Sequence, residues 1–313
     1  HAEETPRKKD RLGEWMPARR LGRTGDDVTM LGMGGYHFGV GQDKDGQAIL
    51  ETALENGLRF VDCATEYQRG GSEERIGRIL TPKYRDVVFL MTKAVGKDAK
   101  SVQKELEDSL RRMKTDYLDL WQVHSIESPE DVDARIENGV LDVFVKAKEE
   151  GKVRHIGFTG HRHYSAHLRM LERTQDSNIF ETCQLPINVL DPSYNSFIIH
   201  VLPQLVERQI GVIAMKTLAC GRFLDKNLHI GGPSKEVDTK DQLVPGRISL
   251  QEALHFVWSL PVSVIVSGMM SASEAKENCA LAKSWTAIDT AQREAMIAKV
   301  ADMAGTQIEW YKV

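Results

Sequence analysis

The chain has 313 residues, 41% hydrophobic and 27% charged, the balance of an ordinary globular protein and not of a disordered or fibrous one. Its formal charge of −4 and pI near 6.2 give no broad pull toward nucleic acid or anionic membranes, which leaves a small molecule as the default partner. No apolar run approaches the ~20 residues of a membrane span.

From the start of the chain, His1–Glu14 is polar and lacks the apolar stretch of a signal peptide. A soluble, cytoplasmic protein is expected, while His1 in place of Met is compatible with a tag remnant or a removed leader. Residues 1–15 read as a polar extension and 16–313 as one domain. Arg19–Leu21 and Val28–Met30 flank a Gly22–Asp27 turn, which predicts a short hairpin capping one end of the body.

Short apolar, β-branched runs then alternate with stretches of helical period. Leu31–Gly34 precedes Gln47–Glu55, Phe60–Asp62 precedes Glu73–Leu80, and Val87–Met91 precedes Val102–Met113. Tyr117–Val123 precedes Val140–Lys148, His155–Phe158 precedes Ala166–Arg173, and Thr182–Leu185 precedes Phe197–Arg208. Val212–Met215 precedes Leu250–Ser259, and Val264–Val266 precedes Glu274–Leu281. Eight strictly alternating units imply parallel strands with helical crossovers, and they suit a closed α/β barrel, the (β/α)8 TIM barrel, better than an open sheet. Arg222–Arg247, rich in Gly and Pro, reads as a long loop over the active face. An extra C-terminal helix over about Asp289–Ala304 would pack outside the barrel, with Gly305–Val313 trailing as a tail.

The four cysteines, Cys63, Cys183, Cys220 and Cys279, form no CxxC pair and read as free thiols. His161, His163 and His167 have no carboxylate or cysteine pattern to complete a ligand set, so no metal is expected.

Asp62, Tyr67, Lys93 and His124 each fall at or just past a predicted strand end, and strand C-termini of a barrel converge on one mouth. Their chemistry fits one job. A phenol is a poor acid-base catalyst at neutral pH, but a nearby ammonium favours the phenolate, a carboxylate holds the ammonium, and an imidazole can orient a carbonyl oxygen. Singly, each residue is as well explained by a cap, a solvated charge or a packed ring.

In combination they resemble the aldo-keto reductase superfamily. Val61–Tyr67 resembles its D-x-A-x-x-Y segment, continued by Gly71–Gly77 as G-S-E-x-x-I-G; Val88–Lys93 resembles its strand ending in Thr-Lys; and Tyr117–His124 matches Y-x-D-L-x-x-x-H. The resemblance runs from Arg20 to about Leu281. It implies that Tyr67 exchanges a proton with the substrate oxygen as hydride moves to or from carbon, with Lys93 and Asp62 tuning it and His124 orienting the substrate.

Gly32–Met33–Gly34–Gly35 is no dinucleotide fingerprint, because His37 stands where the third glycine is needed. The resemblance implies instead an extended dinucleotide across the barrel mouth. Gly35 and Tyr36 would border nicotinamide and substrate. In Gly157–His161, similar to G-V-S-N, Thr159 supplies the hydroxyl and Gly160 replaces the usual Asn, so that His161 or the backbone would compensate. Gln184 would contact the carboxamide, in a segment where Asn188 is structural. Met215–Gly221 aligns with Y-S-P-L-A-x-G, placing Met215 against the nicotinamide and Lys216, Leu218 and Gly221 along the pyrophosphate. Gly268–Ser271 with Glu277 and Asn278 resembles the adenosine signature G-T-R-S…E-N, with Ser271 on phosphate and Glu277 and Asn278 on adenine. Met270 stands where the family has the Arg that clamps a 2′-phosphate. NADP(H) is slightly favoured on family prevalence, with Lys276 or Lys216 as substitute cations, and NAD(H) stays open.

Tyr36, Tyr67, His124 and His161 are the candidate substrate contacts, with His37, Phe38, His163, Tyr164 and Phe223 near the mouth, while strand alternation turns Trp121 away. The pocket suits an aldehyde, ketone or sugar carbonyl. Two other readings stand beside the reductase: a dinucleotide-sensing regulatory subunit with weak or no turnover, like the potassium-channel β-subunits of the superfamily, and a barrel hydrolase or lyase without nicotinamide. Oligomeric state is not legible from the chain.

Overall fold

The computed structural model describes residues 3–222 and 247–313, so the loop predicted over Arg222–Arg247, Phe223 included, lies almost wholly outside the described residues. Two hairpins precede the barrel. β1 (Lys9–Asp10) pairs antiparallel with β2 (Gly13–Glu14), and β3 (Ala18–Arg20) with β4 (Asp27–Thr29), one residue earlier than predicted. The first hairpin is fastened at Asp10, whose carboxylate accepts from Trp15 Nε1 at 2.8 Å and from the buried Arg59 guanidinium at 2.7 and 3.0 Å.

Eight parallel strands follow and close into a barrel: β5 (Leu31–Gly34), β6 (Phe60–Asp62), β7 (Phe89–Ala94), β8 (Leu118–Val123), β9 (Val153–Thr159), β10 (Thr182–Pro186), β11 (Gly211–Met215) and β12 (Val264–Ser267). β12 pairs with β5 through Ile265–Leu31, which completes the circle. All eight predicted strands are present, displaced by at most two residues at their starts and three at their ends. Inside, Phe60, Met91, Leu120, Ile213 and Val264 form an apolar layer that Leu21 and Val28 of the β3–β4 hairpin plug from the N-terminal end. Because side chains repeat a face every second residue, the next inward positions on these strands are Asp62, Lys93, Gln122 and Met215, and Gln184 stands two residues beyond Thr182 on β10. The same alternation sends Trp121 outward, where it stacks on Phe144 with ring centres 3.7 Å apart.

Besides short unpredicted helices at Gly35–Phe38 and Thr81–Tyr84, the helical layer differs from the sequence reading in two places. Phe197–Arg208 is two short helices, Phe197–His200 and Leu202–Glu207, because Pro203 supplies no backbone N–H to carry one helix through. A helix at Pro129–Glu137 was not predicted, although Ser128 caps it from Oγ to Asp131 N and Pro129 opens it.

Gly305–Val313 does not trail. Ile308, Glu309, Tyr311 and Lys312 are buried. Lys312 Nζ donates to Asp191 at 2.7 Å and to the Tyr194 carbonyl at 2.7 Å, and lies 2.8 Å from Glu309 Oε1. Tyr311 OH accepts from Asn188 Nδ2 at 2.9 Å, and Asn188 also donates to the Lys216 carbonyl. The apolar spacing of Ile308, Trp310 and Tyr311 was the signal available for this docking; a short polar-looking run after a helix masked it.

At the opposite end of the barrel, His155 is held between Asp26 Oδ2 at 2.8 Å and Glu181 Oε1 at 3.0 Å. Burial alone would lower its pKa, but the two carboxylates outweigh burial and raise it, while Asp26 and Glu181 are lowered. A raised histidine contributes stability in full below its unfolded pKa of ~6.5 and loses it as pH climbs through the folded value; the carboxylates lose theirs as pH falls below their ordinary range. His155→Gln is therefore expected to destabilise by about 2 kcal/mol near pH 5.5 and by less than about 1 kcal/mol near pH 9. Thermal melts of both proteins across that range test it; a penalty that grows with pH would contradict the assignment.

Candidate active site

Tyr67 reaches the barrel mouth from a loop that the G-S-E segment shapes. Gln68, Arg69 and Gly70 take left-handed backbone angles, and a Cβ at Gly70 would sit 2.7 Å from the Arg112 guanidinium carbon. The turn feeds the helix Gly71–Ile79, whose buried Glu73 accepts from Thr92 and Ser109 at 2.7 Å each and from Arg112. Ser72 Oγ donates to the Gly35 carbonyl at 2.7 Å, and Gln68 Nε2 donates to the Tyr36 carbonyl. Helix, β7 and the end of β5 are thereby locked together around the phenol.

Lys93 Nζ, fully buried, donates to Asp62 Oδ1 at 2.5 Å, to the Cys63 carbonyl at 2.8 Å and to Tyr67 OH at 3.3 Å. Burial acts to lower the lysine, but Asp62 raises it overall, so it stays an ammonium. Burial pushes the Asp62 carboxyl up against the opposing pull of Lys93 and of Gln184. With the two charges in contact and the ammonium also on a carbonyl, we treat them as an ion pair. A neighbouring ammonium is expected to lower the phenol. Burial wins instead, and the Tyr67 hydroxyl is pushed up to about 12 despite Lys93. Tyr67 is thus a protonated phenol with an ammonium at hydrogen-bond distance.

His124 completes the group, its ring centre 6.2 Å from that of Tyr67 and nearly perpendicular to it. Its Nδ1 is buried without a hydrogen-bond partner among the described residues, 3.7 Å from Glu66 Oε2. That distance is too long for a bond, and burial together with Lys93 drives the imidazole well below its usual pKa, so His124 is neutral.

A cleft of about 470 Å³ is lined by Asp62 and Tyr67 of this group, while Lys93 and His124 are not on its wall. Of the residues predicted to bind cofactor, Tyr36, Asp62, Gln184, Met215, Lys216, Leu218, Gly221, Gly268, Met270, Glu277 and Asn278 line it. Gln184 Oε1 accepts from Gln122 Nε2 at 2.8 Å, which fixes its carboxamide over Asp62. The Lys216–Gly221 loop bends through positive φ at Lys216, Ala219, Cys220 and Gly221, and the buried Thr217 hydroxyl, on the cleft wall, has no hydrogen-bond partner among the described residues. Asn278 Nδ2 donates to Ser267 Oγ at 3.1 Å.

Gly35, Thr159, Gly160, Ser271 and His161 lie behind or beside the cleft wall. Ser271 caps the helix Ala272–Lys283 by accepting from Glu274 N at 3.1 Å. His161 Nδ1 is 3.3 Å from the Tyr311 carbonyl, and burial holds its pKa near 4. His37, expected near the mouth, is on the cleft wall, while sequence reasoning missed Thr217, Cys220, Glu274 and the stretch Ile248–Leu250, all on that wall. Glu274 was legible only as the third residue of a capped helix. Among the described residues no three His, Cys, Asp or Glu side chains converge to hold a metal ion, and no helix is long and apolar enough to cross a membrane.

Gly160 has a steric reason to differ from the Asn of the pattern. A Cβ there would lie 2.6 Å from the Ile126 carbonyl oxygen and 2.9 Å from Ile126 Cγ1, and Ile126 is itself pinned by its N–H to the Thr159 carbonyl. Gly160→Asn is expected to destabilise the protein by about 1–3 kcal/mol, read from its urea midpoint.

A closed parallel barrel with an ionisable group of phenol, ammonium, carboxylate and imidazole at its C-terminal mouth defines an enzyme-like barrel with proton-handling capacity. The Aldo/keto reductase family model matches residues 30–301. L-galactose dehydrogenase of Arabidopsis thaliana is 28% identical over 285 residues, covering 84% of this chain and 86% of the relative. Two solved structures share the fold: aldo-keto reductase AKR11C1 from Bacillus halodurans in its holo form (TM-score 0.73, 21% identity, 91% of this chain and 96% of that one), and an aldo-keto reductase from Klebsiella pneumoniae in complex with NADPH (TM-score 0.65, 21% identity, 86% and 90%). The chain belongs to the aldo-keto reductase family, whose members are oxidoreductases.

Proposed function

We propose that this protein reduces a carbonyl to an alcohol, or runs the reverse, with a nicotinamide dinucleotide in the cleft and Tyr67 as general acid and base. The observation that carries the reading is the Lys93 ammonium, which bridges Asp62 and the Tyr67 hydroxyl at the inner end of the cleft. The residues present fit a dinucleotide: a carboxamide at Gln184 beside the phenol, an unpartnered buried hydroxyl at Thr217 with Lys216 adjacent for phosphate, and the Glu277–Asn278 end beyond. The nicotinamide, when bound, supplies or accepts the hydride.

Tyr67 delivers its proton to the carbonyl oxygen, and Lys93 stabilises the phenolate that this leaves. Neutral His124 hydrogen-bonds the same oxygen and sets its angle to the phenol, with Tyr36 and His161 bordering the substrate. A phenol held up to about 12 is fully protonated at neutral pH, which suits the reductive direction. The name of the plant relative supports a sugar carbonyl among the substrate classes, alongside simple aldehydes and ketones. Four free cysteines agree with a cytoplasmic setting. A panel of sugar, aliphatic and aromatic carbonyls, followed by loss of reduced-nicotinamide absorbance over many turnovers, tests the proposal. Dinucleotide binding without turnover on any of them would favour a sensing subunit instead.

A further inference from the structure

The far end of the cleft carries negative charge. Glu274 and Glu277 both line it, Met270 stands between Gly268 and the helix Ala272–Lys283, and Asn278 follows. Glu274 is fixed there: its Oε2 accepts the Met270 backbone N–H at 2.7 Å while its own N–H is held by Ser271 Oγ. Among the described residues on the cleft wall the one lysine is Lys216, its Nζ 5.2 Å from the Trp310 ring centre. Lys276, the other candidate cation, is exposed and does not line the cleft.

We propose that Glu274 makes this protein prefer NAD(H) over NADP(H), by presenting a pinned carboxylate where a 2′-phosphate would have to sit. The inference rests on the reading of the cleft as a dinucleotide site with its adenosine half at Glu277 and Asn278. Two physical effects act in one direction. A ribose 2′-hydroxyl can donate to a carboxylate, which a phosphate dianion cannot do, and such a dianion meets like charge from Glu274 and Glu277, with no guanidinium among the described residues on the cleft wall to offset it. Met270, 37% exposed, offers neither a charge nor a donor from its side chain.

Dissociation constants for NADH and NADPH, measured by calorimetry on wild type, Glu274→Gln and Met270→Arg, test this. Gln keeps an oxygen acceptor for the Met270 N–H and removes only the charge, and Met270→Arg changes an exposed side chain, so both variants should melt like wild type. Wild type is expected to bind NADH about tenfold or more tighter than NADPH at low salt, with the gap shrinking as salt is added. Glu274→Gln should tighten NADPH severalfold with NADH little changed, and Met270→Arg should tighten NADPH further. Equal or tighter NADPH binding by wild type, or an unchanged ratio in Glu274→Gln, would overturn the assignment of Glu274. Failure of wild type to bind either dinucleotide would overturn the cofactor reading itself.

Discussion

Replacing Tyr67 with phenylalanine is expected to lower turnover about 10²- to 10⁴-fold and to leave dinucleotide affinity unchanged. The substitution removes one oxygen and keeps the ring. Lys93 retains its two shorter hydrogen bonds, to Asp62 and the Cys63 carbonyl, so the ion pair does not lose its footing. The ring contact with Tyr36, at 5.5 Å between centres, is also kept. Loss of rate can then be assigned to the missing proton and not to collapse of the site. Single-turnover rates with saturating dinucleotide and carbonyl provide the measurement; a variant that retains wild-type rate would show that the proton comes from elsewhere.

Lys93→Met should do two kinds of damage at once. The thioether chain fills similar volume but leaves Asp62 buried, with Gln184 as its remaining partner and without a countercharge. Removing one member of a buried pair costs about 3–5 kcal/mol. Turnover should fall about 10²-fold or more, because a phenolate formed at Tyr67 would have no ammonium beside it. The double variant Asp62→Asn/Lys93→Met separates the effects. Denaturant midpoints should recover much of the lost stability, since no bare charge remains, while turnover stays low. If activity recovered together with stability, the role of Lys93 would be structural alone.

The barrel and the four-residue group were legible because each rests on a local pattern. Strand alternation fixes which residues face inward, so Asp62, Lys93 and His124 follow from where β6, β7 and β8 end, and Trp121 is excluded by the same rule. What the chain hid depends on distant packing. The upward shift of Tyr67 arises from how far distant packing takes the half-buried phenol out of water, which no spacing encodes. The departure at Gly160 makes physical sense only once the Ile126 carbonyl is seen against it. Glu274 looks like a routine helix-start carboxylate until the fold turns that helix end toward the cleft.

The docked segment around Trp310–Lys312 has a consequence for the order of assembly. Asn188 and Asp191 lie just past β10 and Lys216 just past β11, yet Tyr311 and Lys312 hold them across 95 to 123 residues of chain. Synthesis runs from the N-terminus, so the first four barrel strands, β5–β8, can gather Asp62, Tyr67, Lys93 and His124 long before those late residues emerge. The half of the candidate site around Tyr67 and Lys93 is an early product of folding. The wall formed by β10 and β11 waits for Tyr311 and Lys312, so a nascent chain would gather the group around Tyr67 before its full cleft.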